Sequence, residues 1–451
     1  MLSFIILCLL LGAGHLIRMK SKLMQRLYLP SSVIAGIIGL AVLQSAHYSG
    51  MNVPDSFTAG WSKMPSLLIN VVFACLFLGM RLPKMSTLWK RAGTQLCYGQ
   101  IVAWGQYVVG VGLVLFFLGS YFHLPEMFGG ILPVGFEGGH GTAAGMGPVF
   151  DQRGWPQGKD FALASATLGI MSAIIFGMML VNWAARRGYV SNINKPSAFP
   201  EDDTIGVIPI DSRPSAGKLT VSSDAIETFT LHVVIVGLAI FVGIVIKFAL
   251  LKFQTFIPVL QKNNLLGSFP LFPLCMLGGL IIQAIEDRYD RYSLIDRGIT
   301  MRIQNSALDF LVVAAIATIK LDLIVKGIVP LLIVVAAGIL WNVFCVTFLA
   351  RRIFKVAWFE RAIAEMGQSM GVTATGLLLL RTVDPDYKTP AADAFACKQI
   401  LHEPIMGGGL WTSMAIPLLA VYGGWYVFLI AVGAVVFWLI VAAFLKKAEW
   451  K

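Results

Sequence analysis

Charge is scarce in this sequence: Asp, Glu, Lys and Arg make up 13% of its 451 residues, about half the share of a soluble domain. Apolar residues make up 57%, so water is excluded as the main solvent. Polar stretches are scarce too, and the length of roughly three soluble domains leaves no room for separate cores between the apolar runs. We read one membrane domain. Cys8, Cys75, Cys97, Cys275, Cys345 and Cys397 stand singly in apolar surroundings, which excludes a disulfide framework and a C-x-x-C metal site and leaves them as inert small hydrophobes. A G-x-x-x-x-G-K-[ST] phosphate loop is missing, which argues against ATP as the energy source. His402-Glu403-Pro404-Ile405-Met406 lacks the second His of a zinc H-E-x-x-H helix, and Pro404 would break that helix. With no nucleophile–base pair or metal constellation either, an enzyme is not expected. The formal net charge of +11 lies in short basic clusters between apolar segments, a pattern of membrane orientation rather than nucleic-acid binding. No basic residue precedes the first apolar stretch, Leu2 to Ile17, so it reads as a retained span rather than a cleaved leader.

What is present is a series of apolar segments near the roughly 20 residues a spanning helix needs. They fall at 2–17, 28–48, 65–80, 95–118, 161–185, 227–251, 266–284, 306–319, 327–350, 398–421 and 425–445. The clusters Arg18/Lys20/Lys22/Arg26, Arg81/Lys84/Lys90/Arg91, Arg186/Arg187, Arg288/Arg291/Arg297/Arg302, Arg351/Arg352/Lys355 and Lys446/Lys447 all fall on one side if the N-terminus is outside. The basic-inside rule then predicts eleven spans with the C-terminus in the cytoplasm. Residues 188–226, with Pro196, Pro200, Pro209, Pro214 and Glu201-Asp202-Asp203, read as a cytoplasmic linker.

Two segments, 127–150 and 359–380, are too rich in Gly and polar groups to face lipid. Non-helical backbone at membrane depth is tolerated only where protein buries it or a watery cavity meets it, so both are predicted to be re-entrant hairpins, the first opening outward and the second inward. Glu137-x-Gly139-His140 before Gly141-Thr142-Ala143 matches Glu365-x-Gly367-Gln368 before Gly371-Val372-Thr373-Ala374. Asn70 lies eleven residues before Arg81-Leu82, as Asp309 does before Lys320-Leu321. Pro30 with Ala35-Gly36 echoes Pro273 with Gly278-Gly279. Each half thus reads as five spans and a hairpin, and an odd span count turns the second copy over. The expected fold is an all-α polytopic membrane protein of two inverted-topology repeats, 1–187 and 227–421, with an extra C-terminal span in 422–451. Such repeats with broken segments mark secondary transporters and locate their site.

Glycines 138, 139, 141 and 371 would let backbone N–H groups approach a carboxylate. Thr142, Thr373 and Thr375 add hydroxyls, and His140 is a further substrate-site candidate. Ionisable and polar groups at membrane depth, namely Glu137, Asp309 and Glu365 with Asn70, Asn305, Gln368 and Ser369, are candidates for holding a coupling cation. Lys398 and Lys320 are candidate structural partners of the acids.

The segment Glu137-Gly138-Gly139-His140-Gly141-Thr142-Ala143-Ala144, followed by Phe161 to Gly169, resembles the bacterial sodium/glutamate symporter family. Met370-Gly371-Val372-Thr373-Ala374-Thr375, Asn305, Ile319-Lys320-Leu321 and Pro404 extend the resemblance over most of both halves. Glu365 stands where that family's pattern has His, and Asp309, Lys398 and Glu403 stand where it has small or apolar residues. The resemblance implies a homodimer in the inner membrane in which Na+ drives uptake of glutamate or a similar small anionic solute. A proton-coupled carrier of another carboxylate or amino acid is the alternative, and a channel is the third reading.

Overall fold

The computed structural model describes residues 2–26, 29–51, 53–81, 85–190, 207–208, 210–385 and 388–448. Pro196, Pro200, Pro209 and the acidic triplet of the linker lie outside the described residues, as do Leu82 and Lys84. The described chain is helical without a strand, as apolar runs in lipid require, since a helix satisfies its own backbone. Among the described residues eight helices are long and apolar enough to cross a membrane, and the chain is an all-α polytopic membrane protein.

The helices in chain order are α1 (Leu2–Lys20), α2 (Ser31–Tyr48), the short α3 (Met64–Ala74), α4 (Met85–Leu113), α5 (Ile131–Phe136), α6 (Gly139–Gly145), α7 (Gly147–Gln152) and α8 (Gly158–Arg186). Beyond the linker follow α9 (Thr228–Gln254), α10 (Phe272–Tyr289), α11 (Arg297–Ala317), α12 (Ile328–Phe344), α13 (Trp358–Met370), α14 (Thr373–Val383), α15 (Ala391–His402), α16 (Leu410–Tyr422) and α17 (Gly424–Ala448). Asp296 caps α11 by accepting from Ile299 N at 3.0 Å, and Glu227 caps α9 by accepting from Thr230 N at 2.9 Å. In the link before α11, the backbone N–H groups of Leu294 and Tyr292 hold the Asp290 carboxyl below the usual carboxylate range.

Three of the eleven expected crossings differ from continuous apolar helices. The segment expected at 65–80 is helical only to Ala74. Gly79 there has φ +72°, and a Cβ on it would lie 2.7 Å from the backbone of Arg297. Arg297 Nη1 donates to the carbonyls of Cys75 (2.9 Å) and Leu78 (3.0 Å), while Gln283 Oε1 accepts from Gly79 N at 2.6 Å. Neighbouring side chains thus replace the missing helical bonds, which is what lets a helix end inside a packed bundle. Arg297→Ala is expected to orphan the Cys75 carbonyl and weaken the bonding of Leu78, lowering stability by roughly 2 kcal/mol. An unchanged unfolding midpoint in detergent would show that water takes over the role. The segment expected at 398–421 is split between α15 and α16 by the turn around Gly408, whose φ is +86°. The segment expected at 266–284 is α10, which begins later and carries Glu286, Asp287 and Arg288 in its last turn.

Small residues set the closest helix approaches, as in other membrane bundles. A Cβ on Gly36 of α2 would lie 2.6 Å from Ile316 of α11, and one on Gly279 of α10 would strike the Ala74 carbonyl of α3. The packing is crosswise: α1 and α2 lie on α11, while α9 and α10 lie on α3. Two long helices also share an irregularity, for α4 continues through a π-helical turn, Val114–Leu118, and α12 through another, Cys345–Leu349. Each is followed by a short α-helical turn; the first ends at His123 in the left-handed region (φ +52°), the second at extended Phe354, with left-handed Ala357 (φ +50°) opening α13. The second of these bends is clasped. The Arg351 guanidinium lies 4.4 to 5.1 Å from the rings of Tyr189, Trp358 and Trp183, which ties the end of α12 to the start of α13.

Candidate functional site

Both glycine-rich segments are broken helices, the first almost wholly buried and the second buried along its first arm. The first passes from α5 to α6 through Glu137 and Gly138, with Gly139 at φ +65°. The second is a helical hairpin: α13 and α14 are joined by Gly371 and an extended Val372. A Cβ on Gly367 would lie 2.7 Å from Gly376 Cα, so two glycines allow the hairpin's arms to touch. The breaks meet, since a Cβ on Gly139 would lie 3.2 Å from Val372 Cγ1 and 3.6 Å from the Gly371 carbonyl. Every residue from Phe359 to Met370 except Arg361 is buried, which neither a lipid-facing helix nor a surface loop would show.

Beside the meeting point lies a polar network built from α4, α13, the start of α14, α15 and the α5–α6 break. On α4, Gln95, Gly99 and Gln106 share one face at helical spacing. On α13, Glu365, Gln368 and Ser369 do the same, as do Lys398, Gln399 and His402 on α15. The Lys398 and Glu365 side chains are 0% exposed and paired at 2.6 Å. A charge taken out of water at such depth must be paired and hydrogen-bonded to persist. Accordingly, Lys398 Nζ also donates to Gln368 Oε1 (3.1 Å) and Gln399 Oε1 (2.9 Å), while Gln95 Nε2 donates to Glu365 Oε2 (2.9 Å).

Hydrogen-bond roles fix the rest. Each amide that gives its oxygen to Lys398 turns its nitrogen to an acid. Gln368 Nε2 donates to Glu137 Oε2 (3.1 Å), and Gln399 Nε2 donates to Glu403 Oε2 (3.0 Å) and Thr373 Oγ1 (2.6 Å). The Trp104 indole can only donate, and it donates to Gln100 Oε1 at 3.0 Å. That turns the Gln100 nitrogen toward His402 Nδ1, 3.3 Å away. The tautomer of His402 with its proton on Nε2 matches both contacts, Nε2 then donating to Glu137 Oε1 at 2.9 Å. One ammonium thus stands among three carboxyls, those of Glu137, Glu365 and Glu403. Ligand atoms of Glu137, Glu365 and His402 lie within 4.8 Å of one another. Thr373 and Glu403 are partly exposed and form the network's accessible end. Thr142 Oγ1 and Ser369 Oγ are buried without a hydrogen-bond partner among the described residues.

Of the residues singled out in the sequence, Glu137, Glu365, Gln368, Ser369 and Thr373 converge here. Gly138, Gly139, Gly141 and Gly371 line the two breaks. Thr375 is buried beside Gly371, and Thr142 abuts Gly408. His140 turns elsewhere, its Nε2 bonded to Thr167 Oγ1 at 2.9 Å. Thr167 gives its own proton to the Leu163 carbonyl, so its oxygen accepts from His140 Nε2 and joins α6 to α8. Asn70 bonds the Ser66 carbonyl within α3 at 2.8 Å. Asn305 and Asp309 lie on the exposed face of α11, with Asp309 facing Ser32. Gln95, Gln100, Gln106, Gln399 and His402 were missed. The available signal was a run of amides and an imidazole in otherwise apolar spans, which costs too much at membrane depth to be idle.

The family model described as sodium/glutamate symporter matches residues 1–389. The match covers both broken segments and stops just before α15, which carries Lys398 and His402. No curated protein and no solved structure matches the chain.

Proposed function

The chain belongs to the sodium/glutamate symporter family, a family of transporters rather than enzymes, and from that premise we propose that it takes up glutamate or a related small anionic amino acid by alternating access with Na+ as the coupling ion. The observation that carries this reading is the contact of the two broken segments, Gly139 against Gly371 and Val372, beside a network with fewer ammonium groups than carboxyls. Unwound backbone at the ends of half-helices offers N–H groups to a carboxylate. The substrate carboxylates fit Gly138, Gly139, Gly141 and Gly371 with the hydroxyls of Thr142, Thr373 and Thr375. Sodium fits Glu137 with the unpartnered oxygens of Ser369 and Thr142, since a hard cation takes oxygen ligands. Its charge would offset the excess of carboxylates in a medium that penalises them.

The domain reading belongs to this proposal. Residues 1–187 and 227–421 would be inverted repeats joined by a cytoplasmic linker at 188–226, with 422–451 adding a last span. The crosswise packing of α1–α2 on α11 and α9–α10 on α3 supports it, as do the matching π-helical turns of α4 and α12. An inner-membrane homodimer, N-terminus out and C-terminus in, completes the reading. In proteoliposomes, an inward sodium gradient is expected to drive glutamate accumulation many-fold above the equilibrium level. Accumulation that ignores sodium and follows an imposed pH gradient would replace this reading with proton coupling.

A further inference from the structure

We propose that the Lys398 ammonium is a tethered cation: it fills from within a site built from Glu365, Gln368 and Gln399 that would otherwise hold a free monovalent cation. The geometry is that of a coordination shell. Three side-chain oxygens, Glu365 Oε1, Gln368 Oε1 and Gln399 Oε1, lie 2.6, 3.1 and 2.9 Å from Nζ, one for each of the three protons an ammonium can donate. One carboxylate and two amide carbonyls form an all-oxygen set of the kind a hard cation takes.

Both amides present their oxygens to the ammonium. The nitrogens of Gln368 and Gln399 are held by Glu137, Glu403 and Thr373, so their oxygens can only face inward. The packing leaves room for the ammonium and its stem alone. Gly99 of α4 passes so close that a Cβ there would lie 2.5 Å from Lys398 Cε and 2.6 Å from Glu365 Oε1. The Phe395 ring, 5.8 Å from Nζ, flanks it from α15 itself. The inference rests on the transport reading for its meaning only: one place for a coupling ion is permanently occupied by the protein, so the ion that moves binds elsewhere.

Shortening the tether tests this. The full-length purified protein is unfolded thermally while NaCl replaces choline chloride at constant ionic strength. Lys398→Ala empties the place and leaves Glu365 exposed to it, so sodium is expected to raise its unfolding midpoint by several degrees more than it raises that of the wild type. Lys398→Ala/Glu365→Gln, which lacks the carboxylate, is expected to show no such extra rise. Should Lys398→Ala fold only when sodium is present, that rescue supports the proposal equally. A Lys398→Ala response equal to the wild type's, an equal gain in the double variant, or a Lys398→Ala protein that fails to fold in sodium and choline alike overturns it. None of these readouts involves transport, so a wild type that moves no glutamate under a sodium gradient would sink the transport reading and leave this result standing.

Discussion

Glu365→Ala is expected to lower stability by about 3–5 kcal/mol, the cost of stranding a buried charge. Lys398 is 0% exposed, and Glu365 is the carboxylate bonded to it, at 2.6 Å. The amides of Gln368 and Gln399 cannot replace that charge, because each is a neutral acceptor already fixed by a second partner. Gln95 would lose its acceptor at Glu365 Oε2 as well. The loss should be recovered in large part by Glu365→Ala/Lys398→Met, which removes both charges while keeping an unbranched side chain in Lys398's place. Thermal unfolding of the two variants in detergent decides it. If the double variant were no more stable than the single one, volume rather than stranded charge would be the cause.

Gly139→Ala is expected to abolish most uptake while leaving the fold in place. Gly139 has φ +65°, a conformation that costs an L-residue roughly 1–2 kcal/mol. Its Cβ would also press on Val372 at 3.2 Å, where the two broken segments meet. A penalty of that size shifts a conformational equilibrium by about tenfold. Because the penalty falls on the contact that must open and close in the proposed cycle, a drop of that order in the initial rate of uptake is expected. Gly12→Ala serves as the control, since nothing lies within 4 Å of a Cβ there. Equal rates in the two variants would show that the contact at Gly139 takes no part in the cycle.

Much of this architecture could be read from pattern alone, because lipid allows a chain few options. Eight of the segments picked for apolar length are helices long enough to cross. The two glycine-rich stretches are broken, the first almost wholly buried and the second buried along α13, and Glu137, Glu365 and Gln368 share one network. What could not be read was determined by neighbours far away in sequence. The stretch at 65–80 is mostly apolar, yet its helix stops at Ala74, where Arg297 and Gln283, more than 200 residues away, satisfy the freed groups. Lys398 and His402 sit only four residues apart, but what each bonds follows from the approach of α13 and of the α5–α6 break. The partner of His140 was equally out of sight, for its glycine-rich setting does not show that a threonine on α8 takes up its Nε2.

The π-helical turn in α4 has a further consequence. Such a turn holds one residue more than the ladder around it, and one residue amounts to about 100° of rotation about the axis. Loss of a single codon within 114–118 would restore a regular helix and swing the His123 bend, with everything hung from it, to another side of α4. Point substitutions of Val114–Leu118 by other apolar residues leave the rotation alone, whereas shortening the stretch by one residue changes it.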